Sequence, residues 1–308
     1  MDVFRNSSSL PKFPNPVLTI GTFDGVHLGH QKIIQQLTSI ANEISGTPIV
    51  ITFYPHPRRI LNPGQTEIQL LTTQDEKYAL LKKLGVKAVV EVAFTEEFSA
   101  ISADEYIDEF LVKKFSPHTI IVGYDHRFGK GRAGDFSLLE QRSNKYNYKL
   151  LQIPEQQLNE NNVSSTKVRN ALLAGDVELA GNILGYDYFF TGKVIHGDKI
   201  GRTIGYPTAN IAMSSKEKLV PGDGVYAVDV NLENRIFKGM LSIGTRPTIN
   251  GTDRRVEVNI FDFNEDIYGS EILITMKRFL RKQEKFSGME AMIKQIDVDK
   301  IDAIRLNG

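Results

Sequence analysis

Gly21-Thr22-Phe23-Asp24-Gly25-Val26-His27-Leu28-Gly29-His30 follows the apolar run Val17 to Ile20 and opens a helical pattern. An apolar strand that turns through glycines into a helix is the repeating unit of a parallel sheet covered on both faces. Glycines let backbone N–H groups approach a ligand closely, the helix start offers unpaired N–H groups at its positive end, and two imidazoles add side-chain donors. The combination points to a phosphate-handling site. Three residues of helix place His27 and His30 on nearly one face of the first turn, within reach of one triphosphate. A lone histidine there would more often cap the helix or fill the core; the HxGH spacing behind a glycine turn reverses that balance.

The same rhythm continues downstream. Ile49 to Phe53, Ala88 to Val92, Thr119 to Val122 and Lys149 to Ile153 are further short apolar runs. Two of the intervening helices open with capping boxes, Thr73 to Glu76 and Ser102 to Glu105, each with an acidic side chain three residues after a hydroxyl cap. The expectation is an α/β domain with a parallel, Rossmann-like sheet, whose ligands bind at the carboxyl ends of the strands. After Gly185 the pattern changes to period-two runs, Tyr188 to Ile195, Val225 to Leu232, Arg235 to Ile243, Arg255 to Phe263 and Glu271 to Met276, which read as an antiparallel barrel or sandwich. Ser287 to Glu290 is a third capping box, and Met289, Ile293 and Ile296 form a helical stripe. These shifts place a domain boundary near Asn182 to Asp187, giving domains 1–184 and 185–308.

Composition narrows the function. A chain of 308 residues with 41% hydrophobic content can bury two ordinary cores. Lys plus Arg equals Asp plus Glu at 37 each, so nothing global favours nucleic acid or a charged membrane, and small-molecule substrates fit better. There is no cysteine, which removes disulfides, thiolate metal sites and thiol nucleophiles together and agrees with a reducing cytosol. No stretch approaches the roughly 18 apolar residues of a membrane span, and Met1 to Ser9 carries no apolar signal core. The expected location is cytoplasmic.

Three other strand ends of the first half carry candidate ligand groups. Tyr54-Pro55-His56-Pro57-Arg58-Arg59 adds a histidine and two bases to a loop that its prolines stiffen and keep out of helix. Gly123 to Gly134 holds Asp125, Arg127, Lys130 and Arg132 among four glycines; it is not a Walker A loop, since Lys130 is followed by Gly131. Val163 to Arg169 starts a helix with Ser165 and Thr166 at the cap and Lys167 and Arg169 in the first turn. Bases at the positive end of a helix dipole are out of place unless they grip an anion.

In the second half, Gly197 to Asn210 spaces Gly197, Gly201 and Gly205 four residues apart and then supplies Pro207, Thr208 and Asn210. Thr and Asn offer neutral oxygens of the kind Mg²⁺ accepts beside phosphate oxygens. In Arg255 to Ile260, Val256, Val258 and Ile260 alternate with Glu257 and Asn259, so the pleat sends Glu257 to the face opposite the apolar one. A carboxylate there faces solvent by default, and only a cleft on that face would make it a base.

Together, GTFDGVHLGH, TFYPHP, GYDHRFGKGRAG and SSTKVR resemble, in order and spacing, the adenylyltransferase module of the bacterial bifunctional riboflavin kinase/FMN adenylyltransferase family, the FAD synthetases. GRTIGYPTANI, PGDGVYAV, SIGTRPTING, VEVNIFDFNEDIYG and KRFLRKQEKF resemble its riboflavin kinase module. The resemblance implies a nucleotidylyltransferase domain followed by a six-stranded Greek-key barrel with a C-terminal helix packed on it. It also implies two ATP-dependent reactions: riboflavin to FMN in the second domain, and FMN to FAD with release of pyrophosphate in the first. His27 and His30 would steady the ATP phosphates, with Gly21, Phe23, Asp24, Gly29, Ser165, Thr166 and Arg169 on the nucleotide and His56, Pro57, Arg58, Asp125 and Arg127 on the flavin or its phosphate. Gly201, Thr203, Gly205, Pro207, Thr208 and Asn210 would hold the second ATP, Thr208 and Asn210 also Mg²⁺, and Glu257 would act as the base. Two positions depart from the family pattern: His126 stands where Phe is usual, and Asn259 where a His is expected.

Overall fold

The computed structural model describes the chain apart from residues 6–8, 63, 65–67, 155–162, 198–200, 202–203, 249–250 and 307–308. The chain forms two compact units, Met1–Ser164 and Ser165–Gly308.

The first unit is built on a parallel sheet. Its strands are β1 (Asp2–Phe4), β2 (Pro16–Ile20), β3 (Thr47–Tyr54), β4 (Ala88–Ala93), β5 (Thr119–Gly123) and β6 (Lys149–Ile153), in the spatial order β1-β4-β3-β2-β5-β6. The chain moves from β2 through β3 to β4 on one side and then crosses to β5 on the other. The order therefore reverses at β2, so the turn after β2 lies at the topological switch point where such sheets bind ligands. Alternate strand residues feed two cores. Leu18, Ile51, Val90 and Ile120 join the aromatic cluster Tyr106, Phe110 and Phe115 on one face, while Val17, Val50, Val89 and Ile121 meet Ile34, Leu37, Tyr78 and Leu81 on the other. The second group comes from α1 (Leu28–Glu43) and α3 (Gln74–Lys83). Of the three capping boxes expected, the two of this unit close, Thr73 with Glu76 and Ser102 with Glu105. At the third, the helix starts at Met289 and its first carbonyl acceptor is Gly288 rather than Ser287.

Two readings of the sequence change here. Asp2–Phe4, which carries no extended apolar run, adds to the sheet edge beside β4. Prolines do not keep helix out of the segment after Tyr54: Pro57 opens the short helix α2 (Pro57–Leu61), with His56 as its cap. Proline at a first helical position loses no hydrogen bond, because that N–H has no intrahelical partner.

The second unit begins with two helices, Ser165–Leu173 and Val177–Leu184, the second capped by Asp176 and ended by Gly185 in the left-handed conformation. Strands β7 (Phe189–Ile195), β8 (Ala209–Met213), β9 (Gly224–Leu232), β10 (Arg235–Thr248), β11 (Gly251–Ile260) and β12 (Glu271–Arg281) then close into an antiparallel barrel of order β10-β11-β8-β7-β12-β9. Closure gives every strand a neighbour on both sides. The short β8 lies inside the stretch that reads, in sequence, as a glycine-rich loop.

The C-terminal helix (Met289–Leu306) is fixed by polar contacts as much as by apolar ones. The Arg281 guanidinium donates to Asp299 at 3.0, 3.0 and 2.8 Å, and Tyr206 hydrogen-bonds Asp297. The stripe expected from Met289, Ile293 and Ile296 is displaced: Met289 is exposed, and the inward line runs Ile296, Asp299, Ala303. A buried acid paired to Arg281 occupies a place that periodicity assigns to an apolar residue.

Candidate active sites

At the first switch-point turn, backbone conformation does the initial work. Phe23, Gly25 and Val26 all have positive φ, 49°, 79° and 37°. Only glycine adopts this region without strain, so the turn must be held by its surroundings. The Asp24 carboxylate, 4% exposed, accepts from the backbone N–H groups of Leu71 and Thr72 at 3.0 and 3.1 Å, and Gly25 N–H donates to the Thr72 hydroxyl at 3.2 Å. Asp24 thus spends its carboxylate on shaping the turn.

The tight turn delivers His27 to the cap of α1, where its Nδ1 accepts from the His30 N–H at 3.3 Å. With Nδ1 accepting, His27 presents Nε2 as its donor. The two imidazoles stack with centroids 3.6 Å apart and planes 15° from parallel, and Phe23 meets His30 edge-on at 5.1 Å. Burial, with His27 and Lys77 adding to it, holds His30 well below the usual imidazole pKa. His30 Nδ1 is buried without a hydrogen-bond partner. The arrangement is two imidazoles packed face to face at a helix start, His30 kept neutral chiefly by its burial. Gly21, against which Phe23 packs, and the buried Gly29 complete it.

The other first-half residues are spread over neighbouring strand ends. His56 follows β3 and accepts from Arg58 N–H at 3.2 Å, with Pro57 half-buried and Arg58 exposed. After β5, Asp125 and Arg127 are exposed, and Arg127 is tied to Asp135 at 3.0 Å. His126 lies against Phe128, and its Nε2 is buried without a partner. Ser165, Thr166 and Arg169 begin the first helix of the second unit, with Thr166 exposed and the other two half-buried.

In the barrel, register does what the turn does in the first unit. Glu257 on β11 pairs directly with Asn210 on β8, and Val258 with Ala209. Opposed residues of an antiparallel pair share a face, their Cβ atoms roughly 5 Å apart. The face holding Glu257 is not open solvent: a cavity of about 300 Å³ is lined by Gly201, Thr208, Asn210, Glu257 and Asn259, with Met240, Phe286 and Ile296 on its apolar side. Val256, Val258 and Ile260 point the other way and are buried. A second cavity of about 680 Å³ shares Thr208 and is lined by His196, Pro207, Phe263 and Tyr268. The His196 and Tyr268 rings lie 3.8 Å apart. Gly201 permits the fold of the loop, since a Cβ there would meet the Tyr206 carbonyl oxygen at 2.2 Å. Gly205 supplies a φ of 84°. Thr203 lies outside the described residues.

Reading the sequence alone misses Thr72, Lys77, His196 and Tyr268. Lys77 had a signal: it stands one turn into α3, where the helix dipole disfavours a cation. Tyr268 had one too, next to last in the stretch VEVNIFDFNEDIYG, whereas His196 had none, and the two meet only through the barrel.

The chain matches the family model described as FAD synthetase over residues 11–167 and the one described as riboflavin kinase over residues 184–306. A bifunctional riboflavin kinase/FMN adenylyltransferase of Bacillus subtilis is 37% identical over 293 residues, covering 94% of this chain and 92% of that protein. The Escherichia coli K12 protein of the same description is 35% identical over 306 residues, covering 98% and 97%. A crystal structure described as a macrolide-efflux protein from Streptococcus pneumoniae superposes with a TM-score of 0.88 at 31% identity, covering 97% of each chain. Among the described residues, no helix here is long and apolar enough to cross a membrane. With both modules matched in order and relatives aligned along nearly its whole length, this chain belongs to the bifunctional riboflavin kinase/FMN adenylyltransferase family.

Proposed function

We propose that this chain phosphorylates riboflavin to FMN in its barrel and adenylylates FMN to FAD at the glycine turn, using ATP for both. The observation that carries the reading is the cavity where Thr208, Asn210 and Glu257 meet, because it supplies a kinase site to accompany the paired histidines.

In the barrel, ATP occupies the cavity of His196 and Tyr268 and riboflavin the apolar side of the cavity of Glu257, so the γ-phosphate lies near Thr208, which lines both. Glu257 takes the proton of the riboflavin 5′-hydroxyl as its oxygen attacks phosphorus and ADP leaves. The donor set suits Mg²⁺: Thr208 and Asn210 offer neutral oxygens, and the described residues contain no cluster of three acidic, His or Cys ligands that would form an all-protein cage. Thr208 and Asn210 would hold the ion together with the nucleotide. Bound there, magnesium would screen the phosphate charge that repels the incoming oxygen.

At the turn, the FMN phosphate attacks the α-phosphorus of ATP and pyrophosphate leaves, with no covalent enzyme intermediate. His27 and His30 donate to the phosphate oxygens and stabilise the charge that develops there, aided by the N–H groups of the turn and of α1. His56, Pro57, Arg58, Asp125 and Arg127 serve the flavin side, and Ser165, Thr166 and Arg169 the nucleotide. We place the functional boundary at 184/185, one residue after the start of the riboflavin kinase match at 184. The cytoplasm is the compartment that suits a cysteine-free, ATP-using chain.

Incubating the purified chain with riboflavin, ATP and Mg²⁺ and separating the flavins tests this reading. FMN appearing first and FAD after it is the expected course; absence of any phosphorylated flavin overturns it.

A further inference from the structure

The glycine turn is backed by an unusual buried cation. Lys77 is 4% exposed, although lysine is among the residues least often buried without a partner. Its ammonium donates to the Thr22 carbonyl at 3.3 Å and to the fully buried Thr52 hydroxyl at 3.1 Å. Thr52 Oγ1 itself donates to the same Thr22 carbonyl at 3.1 Å. The charge therefore sits at the carboxyl ends of β2 and β3, immediately before the residues with positive φ. The groups that face it are Asp24 of the turn and Glu91 of β4, which favour its charge, and His30 of α1, whose protonation it opposes.

A structural ion would do better as an apolar side chain of similar volume, since burying a charge costs more than partial pairing returns. Lys77 makes no direct hydrogen bond to a carboxylate among those described; its contacts are a carbonyl and a hydroxyl of the site's own frame. We propose that Lys77 is a positioning residue for adenylyl transfer: its buried ammonium fixes the Thr22 end of the strained turn and keeps His30, stacked on His27, a neutral hydrogen-bond donor. This rests on the assignment of that pair to the ATP phosphates.

Burial lowers the Lys77 ammonium to about 8, against the pull of Asp24 and Glu91. Its charge is therefore lost as pH rises through about 8, and FAD formation from supplied FMN should decline over the same range. Lys77→Arg, which stays charged, should move that decline to higher pH. Lys77→Met should slow FAD formation about 10- to 100-fold, leave riboflavin phosphorylation within about twofold, and raise the His30 titration followed by NMR of labelled imidazoles.

A Lys77→Met enzyme that makes FAD at the wild-type rate overturns the proposal. So does one that is slowed while the His30 titration and the Lys77→Arg pH profile stay where the wild type has them, because that is the mark of a merely structural lysine. Should Lys77→Met fail to fold, Thr52→Val removes the shared hydroxyl at nearly constant volume; a several-fold loss of FAD formation is expected, and no loss overturns the inference. His30→Ala separates the two levels. If it still makes FAD, the assignment of the histidines fails; if it does not while the Lys77 variants behave as wild type, only the present inference fails.

Discussion

Asn259 Nδ2 donates to the Pro207 carbonyl at 2.6 Å. The bond crosses from β11 to the residue that precedes Thr208, so the side chain two positions after Glu257 holds the loop that carries Thr208 and Asn210. Where the family pattern has a histidine, this chain keeps a buried donor. Asn259→Asp is nearly isosteric but replaces the donor with a carboxylate facing a carbonyl. It should raise the KM for ATP in riboflavin phosphorylation by about tenfold, the equivalent of one buried hydrogen bond of 1–2 kcal/mol, and leave FMN adenylylation unchanged. Steady-state kinetics with each substrate varied separately will check this.

Gly201 faces the Tyr206 carbonyl with no room for a side chain, the clash distance for a Cβ being 2.2 Å. Gly201→Ala must push the loop off that carbonyl and with it Thr208. Riboflavin phosphorylation should fall by more than tenfold with FAD formation from FMN intact, as flavin chromatography of the two half-reactions will show.

The pair between Arg281 and Asp299 lies almost wholly out of solvent, Asp299 more so than Arg281, and both line the cavity of Glu257. Removing Asp299 leaves Arg281 with only the more exposed Glu284 at 3.3 Å and the Lys282 carbonyl, so the loss should fall below the roughly 3–5 kcal/mol of a buried charge left without any partner. Asp299→Ala should therefore lower the unfolding midpoint of the barrel and raise the KM for riboflavin, because the helix that carries Ile296 loses its anchor. Calorimetry of the variant, with the kinetics of the kinase step, will measure both effects.

His126 is pushed down to about 4, chiefly by burial, with Arg132 adding to the effect and Asp125 opposing it. An imidazole titrates near 6.5 in the unfolded chain. Between these values the unfolded chain binds the proton and the folded one does not. Stability from this group is complete above about 6.5 and is lost as pH falls toward about 4. His126→Phe should flatten that acid limb, read as the urea midpoint against pH, and leave stability above pH 7 unchanged or higher.

Much of this molecule is legible in its sequence because local signals and tertiary outcome agree. The Gly21 to His30 turn, the two capping boxes and the alternation around Glu257 each specify a conformation that the surroundings then reinforce. What sequence hides is what forms only across elements. Asp2–Phe4 is a strand only because β4 offers an edge, and β8 is too short and too rich in turn residues to show period two. The inward line of the C-terminal helix includes Asp299, a charge that makes sense only once Arg281 is opposite it. Thr72 and Lys77 carry no motif, yet they hold the turn. The histidine motif marks the turn; the frame behind it is written in residues some fifty positions away.

The central claim is that one chain holds two separable phosphorus-transfer sites, and paired variants test it most directly. Glu257→Ala and His30→Ala are each given riboflavin, or FMN, with ATP and Mg²⁺, and the flavins are separated. Glu257→Ala should make no FMN from riboflavin yet convert supplied FMN to FAD, and His30→Ala should make FMN and stop there. Loss of both steps in either variant, or survival of both, would contradict the account.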